Sequence, residues 1–176
     1  VGGTGVASVA VALGSNPNYM TAYNTTLTYL NIQCCQAFKS GATHVGSMLK
    51  TNLFLRTLVF NDNNIGAEGA TAIAESLKVN ECLSNLQLAK NTIGDRGSTA
   101  LGDALRSNIR LSTLNVALNS IADEGATQLA RGMSANSSLS LVDLSQNSFG
   151  ASGGLYLSVA AKSRPVHTVD RGGGPC

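Results

Sequence analysis

The stretch "LSTLNVALNS", Leu111–Ser120, sets the period of the whole chain. Leu111 stands 28 residues after Leu83, which follows Leu55 and Leu27 at the same interval, and Leu139 comes 28 residues later. The rest of the unit moves with it. Leu30, Leu58, Leu86, Leu114 and Val142 share one column, and Ile32, Phe60, Leu88, Val116 and Leu144 the next. Asn63, Asn91, Asn119 and Asn147 form a further column, with Cys35 at its head. A glycine column follows (Gly41, Gly69, Gly97, Gly125, Gly153), and Asn24, Asn52, Asn80, Asn108 and Asn136 close the units. Agreement over this many columns marks an array of repeats.

Each unit has two textures. Its first part, L-x-x-L-x-L, alternates apolar and polar residues as a half-buried strand does. Its second part, as in "IGAEGATAIAESLKVN", places Ala70, Ile73, Ala74 and Leu77 at helical spacing. Acids open several of these helices (Glu68, Asp95, Asp123, Glu124), and Lys78, Arg106 and Arg131 lie near their far ends. That polarity matches the helix dipole and accounts for most of the charge.

The pattern L-x-x-L-x-L-x-x-N-x-I-G-x-x-G-x-x-x-L-x-x-x-L resembles the leucine-rich repeat of the ribonuclease-inhibitor subtype, as in the repeat regions of NOD-like receptors. The columns run over residues 27–163. The resemblance implies an α/β solenoid, a curved horseshoe segment with parallel strands on the concave face and helices on the convex face. It implies that the Asn column bonds backbone groups in the turn after each strand, and that Cys35 replaces an Asn there. One domain, 1–176, is expected, with full repeats at 27–54, 55–82, 83–110, 111–138 and 139–165.

The ends are expected to be irregular. "VASVAVALGS", Val6–Ser15, is a near twin of the Leu111 stretch, so Val6, Val9 and Val11 read as the strand of a short, atypical first repeat, 6–26. Pro17 argues against a full helix after it. At the other end Val166 and Val169 have strand spacing and Arg171 takes the third apolar position. Residues 166–176 therefore read as an incomplete terminal strand and a Gly-rich tail. The chain begins at Val1 rather than Met, as expected of a processed product or an excerpt.

Charged residues make up 12% of the chain, about half the usual ~25%, and the net charge is +2. The scattered Lys and Arg give no footprint for nucleic acid. No apolar run approaches the roughly 18 residues that would span a bilayer. Cys34 and Cys35 are adjacent, Cys82 ends a unit and Cys176 ends the chain, which is not a disulfide framework. Idle thiols favour a reducing, cytoplasmic location. The sequons at Asn24 and Asn136, with the low charge, leave an extracellular one open.

Motifs for chemistry fail on inspection. "GASGG", Gly150–Gly154, matches a nucleophile elbow, but Ser152 shares a column with Glu68, Arg96 and Glu124, and His167 precedes Asp170 instead of following it. "NDNNIG" at Asn61 has Ile65 and Ala72 where a calcium loop needs oxygen ligands. "GGTG", Gly2–Gly5, follows no strand. His44 shares a helix column with Ala72, Ala100, Gln128 and Tyr156 and reads as a surface residue. No enzyme, cofactor or metal site is expected.

What remains is a surface. Strand parity turns Tyr29, Thr57, Asn85, Thr113 and Leu141 outward in one column and Asn31, Val59, Gln87, Asn115 and Asp143 in a second, with Gln33 beyond them and Arg56 at the rim. These are the candidate concave contacts for a protein partner. Val6, Val9, Val11, Val166 and Val169 are the candidate end contacts. Two function classes follow: an interaction module or scaffold binding another protein, or a structural subunit stacking copies of itself through its ends. A third, a regulator of a GTPase, rests on fold analogy alone.

Overall fold

The computed structural model describes residues 2–14, 24–163 and 167–169. Short strands alternate with helices: α1 (Gly3–Leu13), β1 (Tyr29–Asn31), α2 (Phe38–Thr51), β2 (Thr57–Val59), α3 (Gly66–Leu77), β3 (Asn85–Gln87), α4 (Gly94–Ser107), β4 (Thr113–Asn115), α5 (Asp123–Ala135), β5 (Leu141–Asp143), α6 (Ala151–Ser163) and β6 (His167–Val169). The strands form one parallel sheet in chain order. From β1 to β5 each residue pairs with the one 28 positions on, as Tyr29 with Thr57 and Asn115 with Asp143. Strands stack about 4.8 Å apart, whereas packed helices need about 8–10 Å. The helical side is therefore the longer one, and the solenoid curves with its strands inside.

The core lies between the two layers. Leu58, Leu86, Leu114 and Val142 are fully buried, as parity predicts. Leu30, in the same column, is only half-buried, because among the described residues no strand lies on the far side of β1. Helices approach closely where side chains are small. A Cβ on Gly102 would sit 2.6 Å from the Gln128 carbonyl oxygen, and one on Gly132 would run into the backbone of Gly102. The acids at helix starts do more than meet their own dipole. Asp95 Oδ1 accepts from the N–H groups of Ala122 (2.7 Å) and Gly125 (3.1 Å), capping α5. Asp123 Oδ1 accepts from Gly150 (2.8 Å) and Gly153 (2.7 Å), capping α6. Each acid thus ties its helix to the next.

Two asparagine ladders close the edges. In the first, Asn91 Nδ2 donates back to the Phe60 carbonyl (2.8 Å), while its Oδ1 accepts from Asn63 N–H (3.0 Å). Asn63, Asn119 and Asn147 repeat this, and Cys35 ends the ladder by giving its N–H to Asn63 Oδ1 (2.9 Å). In the second, Asn80, Asn108 and Asn136, which follow α3, α4 and α5, donate to the last turn of the helix one repeat earlier, at Leu49, Leu77 and Leu105. Each also accepts from the N–H groups that lead into the next strand, as Asn80 does from Leu83 (2.7 Å). Asn136 is 2% exposed and its Nδ2 is committed to Leu105 (2.7 Å) and Asn108 (2.6 Å). A glycan on that nitrogen is incompatible with this fold.

Both ends correct the sequence reading. Residues 3–13 are a helix, not the strand of a first repeat. Asn52 Nδ2 donates to the Leu13 carbonyl (3.0 Å) as Asn80 does to Leu49, but the link spans 39 residues instead of 31. Leu13 therefore stands where Leu49 and Leu77 stand. "GVASVAVAL", Gly5–Leu13, then aligns with "GATAIAESL", Gly69–Leu77, as the helical half of a unit whose connection to the next strand is longer. At the other end β6 pairs His167 with Leu141 and Val169 with Asp143. Val169 is thus one residue out of the expected register with Val142. Val166 and the rest of the tail lie outside the described residues.

Candidate protein-interaction surface

The concave face is built from the two outward strand columns. Tyr29 and Leu141, at opposite ends of the first, are 54% and 37% exposed. Thr57, Asn85 and Thr113 between them are half-buried by their neighbours, as are Val59, Gln87, Asn115 and Asp143 in the second column. Asn31, Gln33 and Arg56 are exposed. Many of the polar side chains already have a local partner. Asn31 Oδ1 accepts from Gln33 N–H (3.1 Å), Asn115 Oδ1 from Ala117 N–H (3.0 Å) and Asp143 Oδ1 from Ser145 N–H (2.9 Å). Gln87 Nε2 donates to Asn85 Oδ1 (2.6 Å). These bonds tie off the strand ends and orient what the face presents.

A serine ladder edges the face. The Oγ of Ser84 donates to the Arg56 carbonyl (3.1 Å), that of Ser112 to Ser84 (3.0 Å) and that of Ser140 to Ser112 (3.0 Å). Arg56 stands in the same column before Ser84 and sends Nη1 to the Cys82 carbonyl (3.0 Å). Along the turn ridge, Lys90 Nζ lies 2.8 Å from Asp62 Oδ2. Hydrogen bonding to that ammonium holds the Asp62 carboxyl below its usual value. The carboxyl being depressed, the pair's contribution is present above the ordinary carboxylate range and is lost as acid protonates Asp62.

The candidate end residues fare differently. Val6 is fully buried on Gly41 and is no end contact, since the strand on which that reading rested is a helix packed on α2. Val9 is half-buried and Val11 is 70% exposed. Ser152 is an exposed residue of α6's first turn, and His44 Nδ1 lies 2.8 Å from the Ser40 carbonyl on its own helix. Ser152→Ala is accordingly expected to leave every measured property of the chain unchanged, and a hydrolase activity lost with that hydroxyl would contradict this. Cys34, Cys35 and Cys82 are free thiols. Among the described residues, no three His, Cys, Asp or Glu gather as a metal site requires, and no helix is long and apolar enough to cross a membrane.

Sequence reasoning passed over two exposed apolar residues on the turn ridge. Phe38, 46% exposed, has a φ of 52° in the column where Gly66 (67°) and Gly94 (60°) stand. Leu118, 47% exposed, has a φ of 56°. The glycines at 66 and 94 were the signal for Phe38. Left-handed backbone costs a non-glycine residue about 1–2 kcal/mol. Phe38→Gly is expected to stabilise the chain by about 0.5–1 kcal/mol after glycine's entropy cost, checked by urea denaturation. Unchanged or lower stability would mean that the ring's contacts outweigh the strain.

These in-register strands, ladders and helices define a leucine-rich repeat protein. The leucine-rich repeat family model matches residues 23–39, 51–74, 79–102 and 107–130, just over half of the chain, and the chain belongs to that family. Two solved structures are similar in fold. One is the C-terminal domain of a Caenorhabditis elegans tropomodulin, with TM-score 0.66 and 15% identity over 90% of this chain and 92% of that one. The other is leiomodin-1 actin-binding site 2, with TM-score 0.65 and 18% identity over 80% and 82%. No curated protein matches the sequence.

Proposed function

We propose that the chain is a non-enzymatic protein-interaction module that takes a protein partner along its concave strand face. The observation that carries this reading is the row Tyr29–Thr57–Asn85–Thr113–Leu141, where small polar side chains lie between two exposed anchors. Depletion of charge and an aromatic anchor are the marks of an interface core. Arg56 alone is too little positive charge to hold a phosphate backbone, and the carboxylate of Asp143 repels one. Free thiols support a reducing, cytoplasmic setting. The likeness in fold to leiomodin-1 actin-binding site 2 supports actin as the first partner to test.

The test is a titration of the immobilised chain with monomeric actin. Tyr29→Ala is expected to cost about 2 kcal/mol, roughly thirtyfold in Kd. Glu75→Ala, on the helical side, is expected to change nothing. Binding that survives both Tyr29→Ala and Asn115→Lys would remove the concave face as the site. Absence of binding would remove actin as the partner.

A further inference from the structure

Because the strands are parallel and in register, the passages from helix end to strand start line up along one lateral edge of the array. Three inner passages, residues 50–56, 78–84 and 106–112, lie side by side there. The second asparagine ladder fixes their spacing: Asn80 Nδ2 donates to the Asn52 carbonyl (3.3 Å) and Asn108 Nδ2 to the Asn80 carbonyl (3.1 Å). This edge runs the length of the solenoid, so repeats added before or after it would extend it and not cover it.

Each passage lifts one aliphatic side chain beside its ladder asparagine. Leu53 follows Asn52, Val79 precedes Asn80 and Ile109 follows Asn108. They are 63%, 61% and 65% exposed, the most exposed large apolar residues between Tyr29 and Leu141. The core asks for none of them, since Leu49 and Leu55, Leu77 and Leu83, and Leu105 and Leu111 are already buried on either side. Single exposed apolar residues are ordinary, but three in consecutive passages mark a surface.

Cations flank the three tips. Lys50, Lys78 and Arg106 share one column at the helix ends, where the dipole favours them. The dipole does not account for Arg110, beside Ile109 and outside α4, or for Arg56, whose Nη1 reaches the Cys82 carbonyl on this edge. All five are exposed, and Glu81 is the one acid in the three passages. Glu75 and Asp103, one helical turn back, pair with Lys78 (2.6 Å) and Arg106 (3.8 Å). Counting those two acids, cations still lead five to three. Lys50 and Arg110 enter no salt bridge among the described residues. The turn-ridge edge has the opposite sign, with Asp62, Glu68, Asp95, Asp123 and Glu124 against three cations.

We propose that this edge seats the chain on the surface of a bilayer carrying anionic headgroups. Leu53, Val79 and Ile109 enter the headgroup layer, and the cations around them meet its negative charge. Two observations select that occupant. The tips project from a row of loops, and a projecting aliphatic group gains by entering a soft apolar layer, whereas a protein would have to offer three matching pockets. The charge is complementary to an anionic layer, and the acidic edge that such a layer repels lies on the far side of the fold. This seating does not rest on the concave-face reading, and Tyr29→Ala leaves it intact.

Co-sedimentation of the full chain with vesicles tests it, using phosphatidylcholine alone and an equal mixture of phosphatidylcholine and phosphatidylserine. Binding is expected to the mixed vesicles only, and to weaken as salt rises, since attraction is screened over about 8–10 Å at physiological ionic strength. Each cation at an anionic surface contributes about fivefold in affinity, so Lys50→Glu with Arg110→Glu is expected to weaken binding by about twentyfold or more. Leu53→Ser with Ile109→Ser keeps the charge and is expected to weaken binding by about tenfold. Lys39→Glu with Arg96→Glu makes the same charge change on the opposite edge and is expected to alter binding by less than about twofold at physiological salt. All six positions are exposed, and circular dichroism checks that each variant folds. Should a double variant not fold, its two single substitutions carry the same test. Equal binding to both kinds of vesicle, equal loss in the two charge variants, or full binding by the serine variant would overturn the proposal. Absence of binding to either vesicle would overturn it too and leave the edge to an acidic protein segment.

Discussion

Replacing Asn91 with alanine is expected to destabilise the chain by about 3–5 kcal/mol, a large share of the 5–15 kcal/mol typical of a folded domain. Asn91 is fully buried, and its side chain serves two repeats at once. Its Nδ2 donates to the carbonyls of Phe60 (2.8 Å), Leu88 (3.1 Å) and Ala89 (3.3 Å), and its Oδ1 accepts from Asn63 N–H (3.0 Å). Alanine leaves the Phe60 carbonyl and the Asn63 N–H without this partner in the interior, where each such group costs about 1–3 kcal/mol. Asn91→Asp keeps the acceptor but turns a carboxylate toward carbonyl oxygens. Burial raises that carboxyl's pKa, so the Asp variant is expected to be more stable in acid and to lose stability as pH rises past the unfolded carboxyl's value. Asn147→Ala, at a half-buried rung, is expected to cost less. Urea denaturation of the three variants checks the series. An Asn91→Ala loss below that of Asn147→Ala would refute the ladder's role.

Leu86→Ala is expected to cost about 2–5 kcal/mol. Leu86 is fully buried at the centre of β3 and pairs with Leu58 on one side and Leu114 on the other, so truncation opens a cavity that the flanking strands cannot easily fill. Its neighbour Gln87 points to the concave face and is half-buried, and Gln87→Ala is expected to stay below about 1 kcal/mol. Leu30→Ala, in the same column as Leu86 but half-buried at the sheet's edge, is expected to fall between them. If Leu86→Ala cost no more than Gln87→Ala, the strand register would be wrong.

Most of the fold was legible because each unit repeats the same physical solution. Leu58, Leu86, Leu114 and Val142 are buried for one reason, strand parity, which can be read without coordinates. The outward columns of the concave face follow from the same parity. Which of their polar groups are already engaged was not legible. Asn31, Asn115 and Asp143 bend back to an N–H two residues on, and that depends on how the strand ends turn. The Asn24 column was visible, but its work in bridging a helix end to the next strand was not, since the bonds of its later members join residues 28 and 31 apart.

The sequence by itself therefore determined the period, the order of strand and helix in the repeats from residue 27 on, and the buried columns, because those rest on local alternation repeated in register. Only the tertiary structure decided the ends. "VASVAVAL" spaces its valines so that a strand and a helix are both acceptable locally. Val6 against Gly41, and the Asn52–Leu13 bond across 39 residues, select the helix. The one-residue slip of β6 against β5 has the same origin. Within the array a strand has neighbours on both sides that hold its register, whereas β6 has a described neighbour only on the side of β5.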